Sequence, residues 1–192
     1  DHDDMVDRAV VAGRIRDLYN AHTVARSRHA VVGRKIGGEL AEKSHSGLVA
    51  ALDKLVARGK MDEAKRAEIL GNMTFTTDLA AAADADLVLE AIVENLDVKK
   101  SLFQELDGIC KADTIFATNT SSISITAIAA ATKRPEKVLG LHFFNPAPDM
   151  KLVEVIRGDR TTDENFQAAY GCAQEIGKNH AEVGEDPGIA GN

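Results

Sequence analysis

The stretches N-T-S-S-I-S-I over residues 119–125 and G-L-H-F-F-N-P-A-P-D-M-K-L-V-E-V-I over residues 140–156 decide how this chain is read. Hydroxyls, amides, one histidine and carboxylates stand among apolar runs of buried-strand type. Polar groups so placed belong on the edge of a parallel sheet, where ligands bind beyond the carboxyl ends of the strands.

Outward from that stretch, helix and strand patterns alternate from about Glu39 onward. Leu48, Ala51, Leu52, Leu55 and Val56 keep the spacing of an amphipathic helix, and Arg58-Gly59-Lys60 supplies the basic last turn and glycine that stop it. A short helix over Asp62 to Leu70 and a brief strand over Met73 to Thr76 follow. Residues 86–92 form an apolar run of buried-strand type, interrupted only by Glu90. Leu102, Phe103, Leu106 and Cys110 mark one face of the next helix. Thr114 to Thr118 is the next strand, and Ser124 to Thr132 a helix ending just before Pro135. Val138 to Phe144 and Lys151 to Ile156 are two further strands. Phe166, Ala169, Tyr170 and Ala173 mark a last helix closed by Gly177. This order predicts an α/β fold with a mostly parallel sheet and helices on both faces. The chemistry then belongs at residues 90–94, 119–122 and 142–145, each ending or following a predicted strand.

The first 38 residues differ. Two apolar tracts, Ala9 to Ala12 and Ala30 to Val32, flank a polar segment, and no G-x-G-x-x-G occurs anywhere in the chain. Residues 1–38 are therefore read as a divergent segment in place of a first strand and glycine-rich turn, with Gly33 to Gly38 as a turn before the first helix. Residues 39–185 form the remainder of the domain, and 186–192 open a linker.

Composition narrows the function classes. A chain of 192 residues with 44% hydrophobic content predicts one domain of ordinary size. A net charge of −7 gives no electrostatic footprint for nucleic acid. The one basic stretch, Arg26 to Arg34, lacks interleaved aromatics and reads as a solvated surface segment. No run of 18 apolar residues and no opening signal segment argue for membrane or export. Cys110 and Cys172 lie on helical apolar faces, as reduced core residues of a cytoplasmic protein, and neither has metal-ligand spacing.

Among the candidate chemical groups, His142 stands out. It sits at a predicted strand end, with Glu154 on the next strand across an N-P-x-P turn, so a carboxylate can fix the imidazole tautomer and make a general base. Asn119, Thr120, Ser121 and Ser122 lie where a strand becomes a helix. One serine suffices as a helix cap, which leaves donors for a ligand.

These segments resemble the L-3-hydroxyacyl-CoA dehydrogenases, including their 3-hydroxybutyryl-CoA and phenylacetate-pathway relatives. The resemblance runs from Glu39 to Asn192 and is closest over residues 86–155, through L-V-L-E-A-I-V-E-N-L-D-V-K-K, F-A-T-N-T-S-S-I-S-I and G-L-H-F-F-N-P-A-P-D-M-K-L-V-E-V-I. It implies a Rossmann-like, doubly wound domain that uses NAD and acts on an acyl-CoA thioester. By the same resemblance, His142 accepts the proton of the substrate 3-hydroxyl, Glu154 orients that imidazole, and Ser121 and Asn192 hydrogen-bond the substrate oxygens. Ala91, Glu94, Lys99, Asn119 and Asn145 match cofactor-contacting positions, and Arg58 a basic position at the CoA edge. Ala51 replaces a CoA-contacting serine of some members, and P-G-I-A-G-N over residues 187–192 departs from the family's P-G-F-x-x-N at Ile189 and Gly191. The resemblance also implies a helical domain beyond Asn192 that forms homodimers and is absent from this sequence. Without the glycine turn, NADH binding is expected to be weak or undetectable. Arg34 and Lys35, near the position of the usual acidic ribose partner, raise an NADP-linked variant. The competing class is a non-catalytic relative that keeps His142 and Glu154 but binds no dinucleotide.

Overall fold

The computed structural model describes residues 8–13, 30–34, 38–143, 152–175 and 179–184. Among the described residues, eight strands join in one sheet: β1 (Arg8–Gly13), β2 (Ala30–Arg34), β3 (Met73–Thr76), β4 (Leu87–Ala91), β5 (Ile115–Thr118), β6 (Val138–Phe143), β7 (Leu152–Arg157) and β8 (Asn179–Gly184). Their order is β3-β2-β1-β4-β5-β6-β7-β8. Every neighbouring pair is parallel except β6 and β7, which run antiparallel. The chain winds away from β1 in both directions, and the crevice at such a reversal is where open α/β sheets take ligands.

Among the described residues, five α-helices accompany the strands: α1 (Gly38–Ala57), α2 (Glu63–Asn72), α3 (Leu96–Ile109), α4 (Ile125–Ala129) and α5 (Asp163–Glu175). Local chemistry sets their starts. Asp62, Asn95 and Ser124 each accept a hydrogen bond from the backbone N–H three residues on, satisfying an otherwise unpaired donor of the first turn. Gly59, with φ at 66°, turns the chain beyond α1 in a conformation that a side chain disfavours.

Both faces of the sheet are covered, as β4 shows residue by residue. Leu87 and Leu89 join Leu52, Ile69, Leu141 and Phe166 in one core, while Val88 joins Phe103, Leu106, Phe116 and Ile128 in the other. This alternation across a fully buried strand explains why β4 reads as a continuous apolar run. Phe103 of α3 packs on Phe116 of β5, ring centroids 5.4 Å apart. Complete burial of one such side chain contributes about 1.5–3 kcal/mol.

The structure corrects four sequence expectations. Ala9 to Ala12 lies within β1, paired on both sides by β2 and β4, so a first strand stands where a divergent segment was expected. Ala30 to Arg34 is β2, between β1 and β3, rather than the end of a solvated basic segment or part of a turn before the first helix. In both cases a short β-branched tract gains partners distant in sequence. The helix expected over Ser124 to Thr132 stops at Ala129, because the N–H groups of Ala131 and Thr132 bond three residues back, to Ile128 and Ala129, and tighten the turn. Finally, β8 pairs with β7 where no strand was read. Within the segment read as divergent, residues 1–7, 14–29 and 35–37 lie outside the described residues.

Candidate active site at the carboxyl edge of the sheet

Because β1, β4, β5 and β6 run parallel, their carboxyl ends share one edge of the sheet. Register places Glu90 beside Ala12 on one side and Thr118 on the other, with Gly13 opposite Ala91 one step further along. The small residues Gly13 and Ala91 are thus paired at the carboxyl ends of β1 and β4, where open α/β sheets take ligands.

His142 lies one residue before the end of β6, directly opposite Glu154 of β7 in register. Its Nδ1 is 3.3 Å from Glu154 Oε2, and the two side chains are 20% and 27% exposed. The antiparallel pairing of β6 and β7 produces this contact, since directly opposed residues in adjacent strands point to the same face. Nδ1–H donating to the carboxylate assigns the tautomer in which Nε2 carries the lone pair.

At the ends of β4 and β5 the same edge holds a denser group. Glu90, fully buried, accepts hydrogen bonds at Oε1 from Lys99 Nζ and the Ile92 N–H, both at 2.6 Å, and at Oε2 from Thr118 Oγ1 at 2.6 Å. Lys99, in the first turns of α3, is also fully buried, and its Nζ reaches Glu94 Oε2 at 3.6 Å. Glu94 in turn accepts from the hydroxyls of Thr120 and Ser122. Thr120 Oγ1 caps the turn by accepting from the Ile123 N–H at 3.0 Å. Burial pushes the Glu94 carboxyl upward, but the Thr120 hydroxyl, the Lys99 ammonium and the N–H groups of Ser122 and Ser121 outweigh it, so the group sits below the usual glutamate range.

The other site candidates are distributed as follows. Ala91 is buried at the end of β4, Asn119 is half-buried just beyond β5, and Ser121 is exposed on the turn leading to α4. Arg58 and Ala51 are exposed on or just after α1, a helix that packs on β3 at the far edge of the sheet from β6 and β7. Asn145 and Asn192 lie outside the described residues. Glu90, which the sequence shows only as an interruption of an apolar run, proves to be fully buried with three donors on its carboxylate. Its signal was a carboxylate inside an otherwise apolar strand, a charge that burial forces to find partners.

Strand order reversing at β1, small residues paired at the ends of β1 and β4 and an imidazole–carboxylate pair along the same edge mark a Rossmann-like domain. The chain belongs to the family described as 3-hydroxyacyl-CoA dehydrogenase, NAD binding domain, whose model matches residues 18–186. Strand β1 therefore precedes the matched residues.

A 3-hydroxybutyryl-CoA dehydrogenase of Clostridioides difficile is 50% identical over 141 residues, which cover 73% of this chain and 50% of that protein. A probable 3-hydroxybutyryl-CoA dehydrogenase of Deinococcus radiodurans is 42% identical over 172 residues, covering 90% of this chain and 62% of its own length. The crystal structure of 3-hydroxybutyryl-CoA dehydrogenase from Escherichia coli K12 superposes with a TM-score of 0.91 at 41% identity, over 95% of this chain and 39% of that one. The chain thus spans between half and two thirds of the length of these curated relatives.

Proposed function

We propose that this chain is the dinucleotide-binding part of an oxidoreductase that moves a hydride between C3 of a 3-hydroxyacyl-CoA and NAD. The observation that carries the reading is the His142–Glu154 pair, part-exposed on the sheet edge that also holds the β1–β4 crevice. NAD, when bound, supplies the hydride acceptor. His142, with Nδ1 on Glu154, offers Nε2 to the proton of a secondary alcohol, a role worth about 10²–10⁴-fold in rate. Glu154 holds the ring and stabilises it as it becomes cationic. Ser121, at the exposed turn after β5, and Asn192 are assigned to the substrate oxygens, and Arg58 to the CoA edge.

Ala91, Glu94, Lys99, Asn119 and Asn145 are assigned to the cofactor. Ala91 fits that role through its small side chain opposite Gly13, and Glu94 through an ionised carboxylate held at the edge. The domain is taken to run from β1 through β8, with residues 186–192 opening a linker to a helical, dimer-forming domain like that of longer family members. The two buried cysteines, neither in a disulfide, suit a reducing compartment such as the cytoplasm.

The test is a titration of NADH fluorescence with this chain. Saturable binding is expected, with a dissociation constant no tighter than micromolar because no G-x-G-x-x-G is present to let the backbone close on the pyrophosphate. No saturable response at any accessible concentration overturns the dinucleotide reading and favours a non-catalytic module.

A further inference from the structure

Glu90 takes no part in the proton transfer assigned to His142, yet three donors converge on its buried carboxylate. Its backbone carbonyl also accepts from the Asn119 N–H at 2.7 Å. One residue therefore ties the end of β4 to the end of β5, to the loop after β4 and to α3. We propose that Glu90 is a positioning residue for the dinucleotide edge: through Lys99 it sets where Glu94 and the turn at residues 120–122 stand. The proposal rests on the dinucleotide reading above.

The distances give the direction of the effect. Lys99 Nζ is 2.6 Å from Glu90 and 3.6 Å from Glu94, so the ammonium is held by the inner carboxylate and only leans on the outer one. Glu94 keeps its other oxygen on the hydroxyls of Thr120 and Ser122, at the mouth of the site. If Glu90 carried no charge, Glu94 would be the anion left beside the buried ammonium among the described residues. It would then draw that carboxylate inward, away from the turn that carries Ser121. A purely structural Glu90 would satisfy Lys99 and nothing more, and its loss would lower stability without reaching Glu94.

Glu90→Gln separates the two, since it keeps the shape and removes the charge. The pH dependence of the Ser121 and Ser122 amide NMR shifts reports the ionisation of Glu94, because both N–H groups face its carboxylate. In Glu90→Gln the midpoint of that titration moves further down, as a neighbouring negative charge is gone and Lys99 is no longer shared. In a Lys99→Met background the same change moves the midpoint less, since the ammonium shared by the two carboxylates is gone.

Glu90→Asp keeps the charge but shortens its reach. It shifts the midpoint the same way by less, and it stands in should the glutamine variant fail to fold. A folded variant with a lower melting temperature and an unmoved Glu94 titration overturns the proposal. NADH titrations of the same proteins separate it from the reading on which it rests. Glu90→Gln weakens binding about tenfold, within the coupling found between members of one hydrogen-bonded network. Unchanged affinity overturns the positioning role. A parent chain that binds no NADH while Glu94 still answers to Glu90 overturns the dinucleotide reading and leaves the coupling standing.

Discussion

The His142–Glu154 and Lys99–Glu90 pairs both set a carboxylate against a basic group on the same sheet edge, but their surroundings are opposite. Lys99 and Glu90 are wholly excluded from solvent, 2.6 Å apart, and the carboxylate has two further donors. His142 and Glu154 are 3.3 Å apart and each retains a fifth or more of its exposure. A charge in the first setting cannot change without leaving its partner buried and uncompensated, so that pair holds geometry. In the second setting solvent can reach the ring, as the proton transfer proposed for it requires. Burial, more than residue type, separates the pair proposed to position from the pair proposed to react.

Substitutions can break or sharpen that contrast, and the largest effect belongs to the exposed pair. In a version extended to the relatives' full length, assayed as NADH-dependent reduction of acetoacetyl-CoA, His142→Gln should lose about 10²–10⁴-fold in kcat with the fold intact by circular dichroism. Ser121→Ala should lose far less, because a hydroxyl contact is replaceable by water at an exposed turn.

At the buried pair the loss should appear in stability instead. Lys99→Met leaves the Glu90 carboxylate without its counter-ion and should cost about 3–5 kcal/mol in urea denaturation. Thr118→Val, which removes one donor, should cost about 1.5–3 kcal/mol.

Smaller again is the effect of crowding the ground between the two pairs. A Cβ added at Gly140 of β6 would lie 2.6 Å from Ile125 Cδ1 and 3.0 Å from Ile156 Cβ. Gly140→Ala should therefore destabilise by about 1–3 kcal/mol and shift α4, as read by the melting temperature and by the Ser121 amide shift.

The smallest effect is the pH dependence of Glu94. Its carboxyl lies below its ordinary value in the folded chain, so the stability it contributes is present above the unfolded value. That contribution disappears as pH falls through the folded one. Glu94→Gln should flatten the acid side of the stability curve in that window, and an unchanged curve would show that Glu94 is not held by its neighbours.

The contrast also explains what was legible in the sequence. Strands β4 to β7 show as short, mostly apolar runs, β4 and β5 because a strand buried throughout is apolar on both faces, and α1, α3 and α5 show through their helical spacing. The opening strands do not. Ala9 to Ala12 and Ala30 to Val32 are brief, and their pairing with β4 and β3 is long-range, which no local pattern encodes. β8, N-H-A-E-V-G, carries so little apolar signal that its strand form rests on pairing with β7.

At the site, His142 and Glu154 were legible because each falls in an apolar run of strand type, and the antiparallel pairing of β6 with β7 sets them opposite each other. The link from Glu90 through Lys99 to Glu94 was not. It joins a strand, a helix and a loop, and three charges close in sequence read equally well as the solvated start of a helix.

The account stands most directly on His142 and Glu154 acting as one unit, and a double-variant cycle on kcat measures that. Glu154→Gln alone should come near the His142→Gln loss. The variant carrying both changes should lose no more than about threefold beyond His142→Gln, because a carboxylate that works through the ring has nothing left to support once the ring is gone. Losses that multiply across the two changes would contradict the account and place Glu154 in a role independent of the histidine.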